Sequence, residues 1–298
     1  TDKQVTNKAV GFIGNLRGDD RFFLYVHYLA PHADYVPPPP FRKKFISSGD
    51  ESFNLGGIQQ EQYRKMNLTN AQISYIESQY DGELAYVDGQ VGNLLKTLKG
   101  RDLLDKTVIL VVSDHGEEFQ DRPGAFGHMT EPYDTLVKVP FIMYVPKTVP
   151  MRVKQQVRLV DIMPTMIDLT GGIVPDGLDG VNLKGAILGD DLNLEAYSEK
   201  RYTMDWTWFI SLRTDRWKYI AQVDNVNGTV IDGRLFDIAE DPHERVQITE
   251  NNELRGQFRR MIEDYLKRAT RGKPKNGVEV AVLDNGTVNK LAALCYAV

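Results

Sequence analysis

The sequence predicts an α/β fold, a mixed sheet flanked by helices, followed by a small C-terminal antiparallel α+β subdomain. Three observations carry this. Apolar runs at 22–29, 107–113 and 138–145 each border segments rich in Gly, Pro or His, and a long helical periodicity separates the first two. After residue 195, Asn227-Gly228 and Asp232-Gly233 fall among aromatic and β-branched residues, and both dipeptides are strong hairpin signals. An amphipathic helical pattern at 253–268 then follows. The division is expected at 194/195, with 1–194 as the α/β domain and 195–298 as the antiparallel subdomain with its helix and tail.

Each element has its own local reason. Residues 22–29 (FFLYVHYL) are aromatic and β-branched and read as a buried strand. Pro37 to Pro40 cannot enter a helix or sheet interior and predict an extended path. Residues 47–68 are polar and read as an irregular excursion. Thr69 opens a capping box closed by Gln72. Ile73, Ile76, Tyr80, Leu84, Val87, Val91, Leu94, Leu95 and Leu98 then form one helical stripe, with Gly100 as the expected left-handed stop. Thr107 to Ser113 is apolar without alternation, as in a strand buried on both faces of a parallel sheet. Residues 138–145 are a further strand, with Pro140 near its start. Asp161 caps a short helix that Gly171 stops. Residues 172–194 read as a loop, and 208–222 and 229–238 as strands.

Composition narrows the function classes. The chain has 298 residues, 42% hydrophobic and 26% charged, which is ordinary for a globular protein. Lys+Arg is 36 and Asp+Glu is 41, a net charge of -5, so the basic footprint of a nucleic-acid binder is missing. The apolar run Val108 to Val112 is too short for a transmembrane helix, and no apolar run in the chain reaches the length of one. The single cysteine, Cys295, excludes an internal disulfide framework and a multi-cysteine metal site.

The chemistry concentrates at Ser113-Asp114-His115-Gly116, directly after a predicted strand. A carboxylate beside an imidazole supplies two ligands to one divalent cation, and Gly116 permits a sharp turn and a close approach. A polar strand end with a capping Asp114 is the bland alternative. His32 follows another predicted strand, and His128 lies on the loop Phe126-Gly127-His128. A parallel sheet would bring these three histidines to one edge. Imidazoles beside a metal suit oxyanion binding and protonation of a leaving oxygen. His27 reads as a packed strand histidine and His243 as a surface residue. Trp206 and Trp208 lie in an irregular segment, open to packing or to substrate stacking, whereas Trp217 reads as core. Arg42-Lys43-Lys44 reads as a solvated surface.

Taken in order, these residues resemble the sulfatase family. Phe22 to Val26 with Ala30-Pro31-His32-x-x-Tyr35 is similar to the family's strand and Pro-His loop. Tyr80-Asp81-Gly82-Glu83 with Val87-Asp88 resembles its helix before the metal strand, and Thr107 to Glu117 the metal strand itself. Phe126-Gly127-His128 and Val139-Pro140 match the next loop and strand. Asp161-Ile162-Met163-Pro164-Thr165 and Leu178-Asp179-Gly180 are similar to the family's Asp-x-x-Pro-Thr helix and Leu-Asp-Gly turn. Arg213 to Tyr219 and Leu235-Phe236-Asp237-x-x-x-Asp241-Pro242-x-Glu244 resemble its C-terminal subdomain. The end, Leu291 to Tyr296, resembles the family's tail, with Cys295 where Gly is usual.

The resemblance implies an alkaline-phosphatase-like fold and a hydrolase of sulfuric esters acting on a sulfated small molecule or glycan. It implies Asp114 and His115 as metal ligands, and His32 and His128 as catalytic residues contacting sulfate or the leaving oxygen. One divalent cation is implied, calcium first. Many relatives carry Asn at the position of His115, and the nitrogen donor here leaves Mn2+ or Zn2+ as alternatives. The family's nucleophile is a formylglycine made from Cys-x-Pro-x-Arg or Ser-x-Pro-x-Arg, and neither motif occurs in this chain. Asp19-Asp20 does not match the spacing of the family's early carboxylate pair. The chain is therefore expected to be the C-terminal part of a sulfatase, lacking the first strands and inactive alone, with a hydrophobic strand edge exposed. Periplasmic or secreted placement follows from the resemblance only. A phosphate or phosphonate ester hydrolase or a phosphoethanolamine transferase of the same superfamily is the second reading, and a non-catalytic relic or binding module the third.

Overall fold

The structure, a computed structural model, describes residues 1–271 except 19, 47–50, 59, 129 and 202–206. Asp19, Trp206, Cys295 and the 291–296 tail lie outside the described residues. The chain divides into two compact units. The first comprises Thr1–Thr130, Thr135–Val153 and Val160–Lys184, and the second Glu131–Asp134, Lys154–Leu159 and Gly185–Val298. Among the described residues no helix is long and apolar enough to cross a membrane.

The first unit opens with α1 (Asp2–Asn15), an element that the sequence reading passed over. Its signal was present in a Thr1/Gln4 capping box followed by buried Thr6, Ala9 and Ile13. The Asp2 carboxylate accepts the backbone N–H groups of Leu29 and Ala30 at 2.9 and 3.3 Å, so this helix holds the start of the His32 loop. The excursion at 47–68 contains a short helix, α2 (Gln60–Lys65).

The long helix α3 (Asn70–Gly100) begins with the expected capping box. It ends differently, because Gly100 stays in the helix and Asp102 takes the left-handed conformation, φ 54°. Its N-terminal half buries Ser78, Gln79, Gly82 and Glu83 alongside Ile76, so the apolar stripe is interrupted by polar contacts. A Cβ at Gly82 would lie 2.8 Å from Pro37 Cγ, which is why helix and proline run can meet there. The proline run is extended only at first. Pro38 accepts from Phe41 N–H at 2.9 Å and the chain enters a 3-10 turn, Phe41–Lys43.

The strands of this unit depart most from expectation. Residues 20–29 pair with no described segment, so they form no strand. Phe22 and Leu24 pack against Ile13, Leu16 and Leu98, while the alternate side chains Phe23 and Tyr25 are 84% and 75% exposed. His27 is likewise exposed rather than packed. β1 (Ile109–Val112) pairs antiparallel with β4 (Phe141–Tyr144). Val111, Val112 and Ile142 remain exposed, so β1 is not buried on both faces in a parallel sheet. Between them β2 (Glu118–Phe119) pairs with β3 (Phe126–Gly127), and a short helix, α4 (Asp134–Val137), follows.

Asp161 precedes α5 (Ile162–Leu169) but does not cap it. Its buried carboxylate instead accepts Val181 N–H at 2.9 Å, and Thr165 Oγ1 accepts Leu183 N–H at 2.9 Å. The helix and the Leu-Asp-Gly turn are thereby buckled together. Gly171, φ 78°, ends the helix as expected. The loop at 172–194 contains one helical turn, α6 (Lys184–Leu188).

The second unit is a four-stranded antiparallel sheet of β5 (Ala196–Arg201), β6 (Trp208–Arg213), β7 (Trp217–Val223) and β8 (Val230–Asp237), in that order. The expected single strand at 208–222 is broken at 214–216, where Thr214 and Trp217 close a turn. Asn227-Gly228 does form the β7–β8 hairpin, with Gly228 at φ 68°. Asp232-Gly233 does not turn. It lies inside β8, and Gly233 leaves the space that the Tyr219 ring occupies. α7 (Asn252–Arg271) packs Phe258, Ile262 and Leu266 on one sheet face with Ile210, Leu212, Ala221 and Leu235. Trp208 is core in β6, with Arg201 stacked 3.8 Å from its ring centroid, so it is not a substrate-lining residue.

The opposite sheet face holds a buried ionic cluster. Lys218 is fully buried, with its ammonium 2.8 Å from Asp134 Oδ1 and 3.1 Å from Glu244 Oε1. Arg213 Nε donates to both Asp134 oxygens, and Glu244 Oε2 accepts Asp134 N–H at 2.7 Å. Burial alone would raise the Asp134 carboxyl, but Lys218 and Arg213 outweigh it and hold it low. Burial lowers the Lys218 ammonium, and the two carboxylates oppose that.

Candidate active site

Three loops of the first unit bring the predicted residues together. His128 is central. Its ring centroid lies 4.1 Å from that of His115 and 5.5 Å from that of His32. The ladder beside them is antiparallel, so the three histidines do not meet as edge loops of a parallel sheet. Asp114 and His115 sit just past β1, where the strand ends and the backbone turns. His115 N–H donates to Asp114 Oδ1 at 3.0 Å. What comes close to Gly116 is the chain itself. A Cβ there would collide with the Thr135 carbonyl, and Gly116 N–H donates to Leu136 O at 2.7 Å.

The imidazole tautomers follow from their partners. His115 Nδ1 faces the Gly116 carbonyl at 2.9 Å, and His32 Nδ1 faces the Ala33 carbonyl at 2.8 Å. A carbonyl only accepts, so each Nδ1 carries a proton. His115 Nε2 lies 3.8 Å from Asp114 Oδ2. That spacing and donor set suit two ligands of one divalent cation. Among the described residues no group of three or more His, Cys, Asp or Glu side chains is placed to hold a metal ion. The pair supplies two donors, and both residues are partly exposed.

Two carboxylates escaped the sequence reading as site residues. Glu117 is nearly buried and stands 3.2 Å from His128 Nδ1. Its charge also reaches the aromatic wall behind the loop. Tyr35 is buried, and its phenol is raised first by burial and then by Glu117. Burial, with Glu117 next, pushes Tyr80 up to about 12. Glu118, the next residue and the first of β2, is fully buried. It accepts from Thr130 and Thr135 and pairs with Arg122, which clasps the chain on both sides of 131–134. The available signal was two adjacent carboxylates at the entry to a strand. Phe126, Tyr63, Tyr35 and Phe119 pack behind His128, with Tyr63 and Phe126 stacked at 4.7 Å.

A further buried carboxylate touches the His32 loop. Glu83 Oε1 accepts Val36 N–H at 3.0 Å. Its other oxygen is buried without a partner among the described residues. Burial pushes this carboxyl up to about 7.

Comparison with known proteins places these residues in context. The family model described as Sulfatase matches residues 1–173, and that described as N-sulphoglucosamine sulphohydrolase, C-terminal, matches residues 128–271. The chain is 28% identical to "Arylsulfatase K" of Mus musculus over 287 residues, covering 83% of this chain and 50% of that one. It is similar to a structure solved in complex with its substrate D-glucosamine-2-N,6-O-disulfate, at TM-score 0.68 and 19% identity, covering 93% and 71% of the two chains. It also shares its fold with the phosphonate monoester hydrolase of Agrobacterium radiobacter, at TM-score 0.69 and 20% identity, covering 91% and 60%. The chain spans about half the length of the curated relatives it matches.

Proposed function

The chain belongs to the sulfatase family, and from that premise we propose that it carries the metal- and anion-binding part of a sulfuric ester hydrolase. The carrying observation is the convergence of His32, His115 and His128 beside Asp114. In this reading Asp114 and His115 hold one divalent cation, calcium or, given the nitrogen donor, manganese or zinc. When bound, the cation polarises the sulfate and the nucleophile. His32 and His128 donate to sulfate oxygens or protonate the leaving oxygen. Glu117 accepts from His128 Nδ1–H, which fixes the ring's orientation and assigns the chemistry to Nε2. No residue of this chain is assigned as nucleophile, because Cys-x-Pro-x-Arg and Ser-x-Pro-x-Arg are both absent. The formylglycine of this reading belongs to other residues of a longer protein. A sulfated glycan or sulfated small molecule is the substrate class, supported by the neighbour solved with a disulfated glucosamine.

The test is hydrolysis of 4-nitrophenyl sulfate by the full-length protein, with 4-nitrophenyl phosphate and phenyl phosphonate esters alongside. Sulfate turnover that is lost in His32→Ala and His128→Ala supports the reading. A phosphonate preference would favour the second reading, with which the fold shared with the phosphonate hydrolase is compatible. The 298-residue chain alone is expected to show no turnover, and measurable hydrolysis by it would overturn the assignment of the nucleophile elsewhere.

A further inference from the structure

The segment carrying His32 is fastened to one helix before that residue and to another after it, all within the first unit. Upstream, Asp2 and Thr6 stand about one turn apart on α1. Asp2 accepts the N–H groups of Leu29 and Ala30, and Thr6 Oγ1 lies 3.1 Å from Tyr28 Oη. Downstream, Gln79, Gly82, Glu83 and Tyr86 are spaced to share one face of α3, and that face meets residues 36–42. Gln79 Nε2 donates to Arg42 O at 2.9 Å. Gly82 lets Pro37 and the Phe41 carbonyl come close, and Tyr86 packs edge-on to Phe41 at 5.6 Å between centroids. Glu83 Oε1 accepts Val36 N–H at 3.0 Å, the α3 contact nearest to His32 in sequence.

A carboxylate is a costly choice for that place. Glu83 is only 8% exposed, and its Oε2 has no partner among the described residues. An alkyl side chain would serve packing alone better, so what Glu83 supplies is an acceptor at a set position. Residues 31–35 lie between the tethers at Ala30 and Val36. Within them His32 N–H donates to Leu29 O at 3.0 Å, and His32 Nδ1 faces the Ala33 carbonyl at 2.8 Å. The imidazole is thus fixed to the backbone of its own loop, and a shift at Val36 passes to the ring, whose centroid lies 5.5 Å from that of His128.

We propose that Glu83 is a positioning residue, which holds the His32 ring beside His128 through the Val36 N–H. The effect on turnover rests on the reading of His32 as a sulfate-contacting residue, whereas the placement of the ring does not.

Glu83→Leu and Glu83→Ala remove the acceptor, and Glu83→Gln keeps a carbonyl oxygen there. In the full-length protein, kcat for 4-nitrophenyl sulfate should fall about 10–100-fold in the first two with KM held, and stay within about twofold of wild type in the third. In a His32→Ala background the same substitutions should cost less than about twofold, because the residue they act through is gone. Proton NMR of the 298-residue chain reads the placement without turnover. The His32 Cε1–H resonance, identified by its absence in His32→Ala, should move in Glu83→Leu and Glu83→Ala and return in Glu83→Gln. That of His243, in the second unit, should stay in place, and circular dichroism verifies each fold. The proposal fails if the His32 resonance is unmoved in a folded variant without the acceptor, or if Glu83→Gln loses as much as Glu83→Leu. It also fails if only KM changes, or if the loss persists undiminished in His32→Ala. Absence of sulfate turnover by the wild-type full-length protein would sink the hydrolase reading and leave the His32 resonance to decide the placement.

Discussion

Around Lys218, two carboxylates meet one ammonium and one guanidinium at contact distance, and all four groups lie inside the second unit. Around His128, three imidazoles lie ring to ring, with Glu117 behind one of them and a partly exposed Asp114 beside another. The first cluster is neutral and closed, so its charges serve to hold Asp134 and Glu244 to β7. The second gathers imidazoles rather than opposed charges, and it opens to solvent at Asp114 and His115. Matching of charge, more than residue type, separates a structural polar cluster from a reactive one.

His128→Ala tests the contrast most severely. Turnover of 4-nitrophenyl sulfate by the full-length protein should fall roughly 10²–10⁴-fold, with urea unfolding little changed. Lys218→Met should do the reverse. It leaves Asp134 and Glu244 buried without their shared cation, at a cost of about 3–5 kcal/mol in urea unfolding of the chain. If Lys218→Met unfolds at the wild-type midpoint, the cluster is not the anchor described above.

Glu83 sharpens the comparison, because it is a buried carboxylate with no matching cation named beside it. Its folded-state carboxyl is raised to about 7, so the native state holds a proton that the unfolded state releases at lower pH. Its contribution to stability is therefore present below the unfolded value and is lost as pH rises towards 7. Glu83→Gln should stabilise the chain at pH 8 relative to wild type by on the order of 2–3 kcal/mol, with little difference at pH 4. Equal melting differences at both pH values would rule this out. The smallest effect is expected for Glu117→Gln. One charge-assisted hydrogen bond to His128 is weakened, and kcat/KM should drop about tenfold through kcat, with KM held. A change confined to KM would assign Glu117 to substrate binding instead.

What was legible in the sequence follows from range. The α3 capping box, the Gly228 hairpin and the α7 stripe depend on residues a few positions apart, and all three formed as expected. That His32, His115 and His128 would lie near one another was open to the sequence because the chain has only five histidines and each of these three borders a turn. Contacts made at long range were not visible. Gly233 looked like a turn because the sequence does not show the Tyr219 ring that fills its space. The 22–29 segment has the composition of a strand, yet pairing depends on a neighbour that no local pattern supplies. Glu117 and Glu118 carry no local mark of their contacts, because the partners are eleven or more residues away: His128 for the first, Thr130 and Thr135 for the second.

The burial of Trp208 in the sheet core has an optical consequence. The chain has three tryptophans, Trp206, Trp208 and Trp217, and all fall within the second unit. Intrinsic indole emission is therefore blind to the first unit. Four of the five histidines, His27, His32, His115 and His128, belong to that first unit, so imidazole proton resonances report mainly on it. Two label-free signals thus follow the two units separately. Whether their melting curves coincide will show if the chain unfolds as one cooperative body or as two.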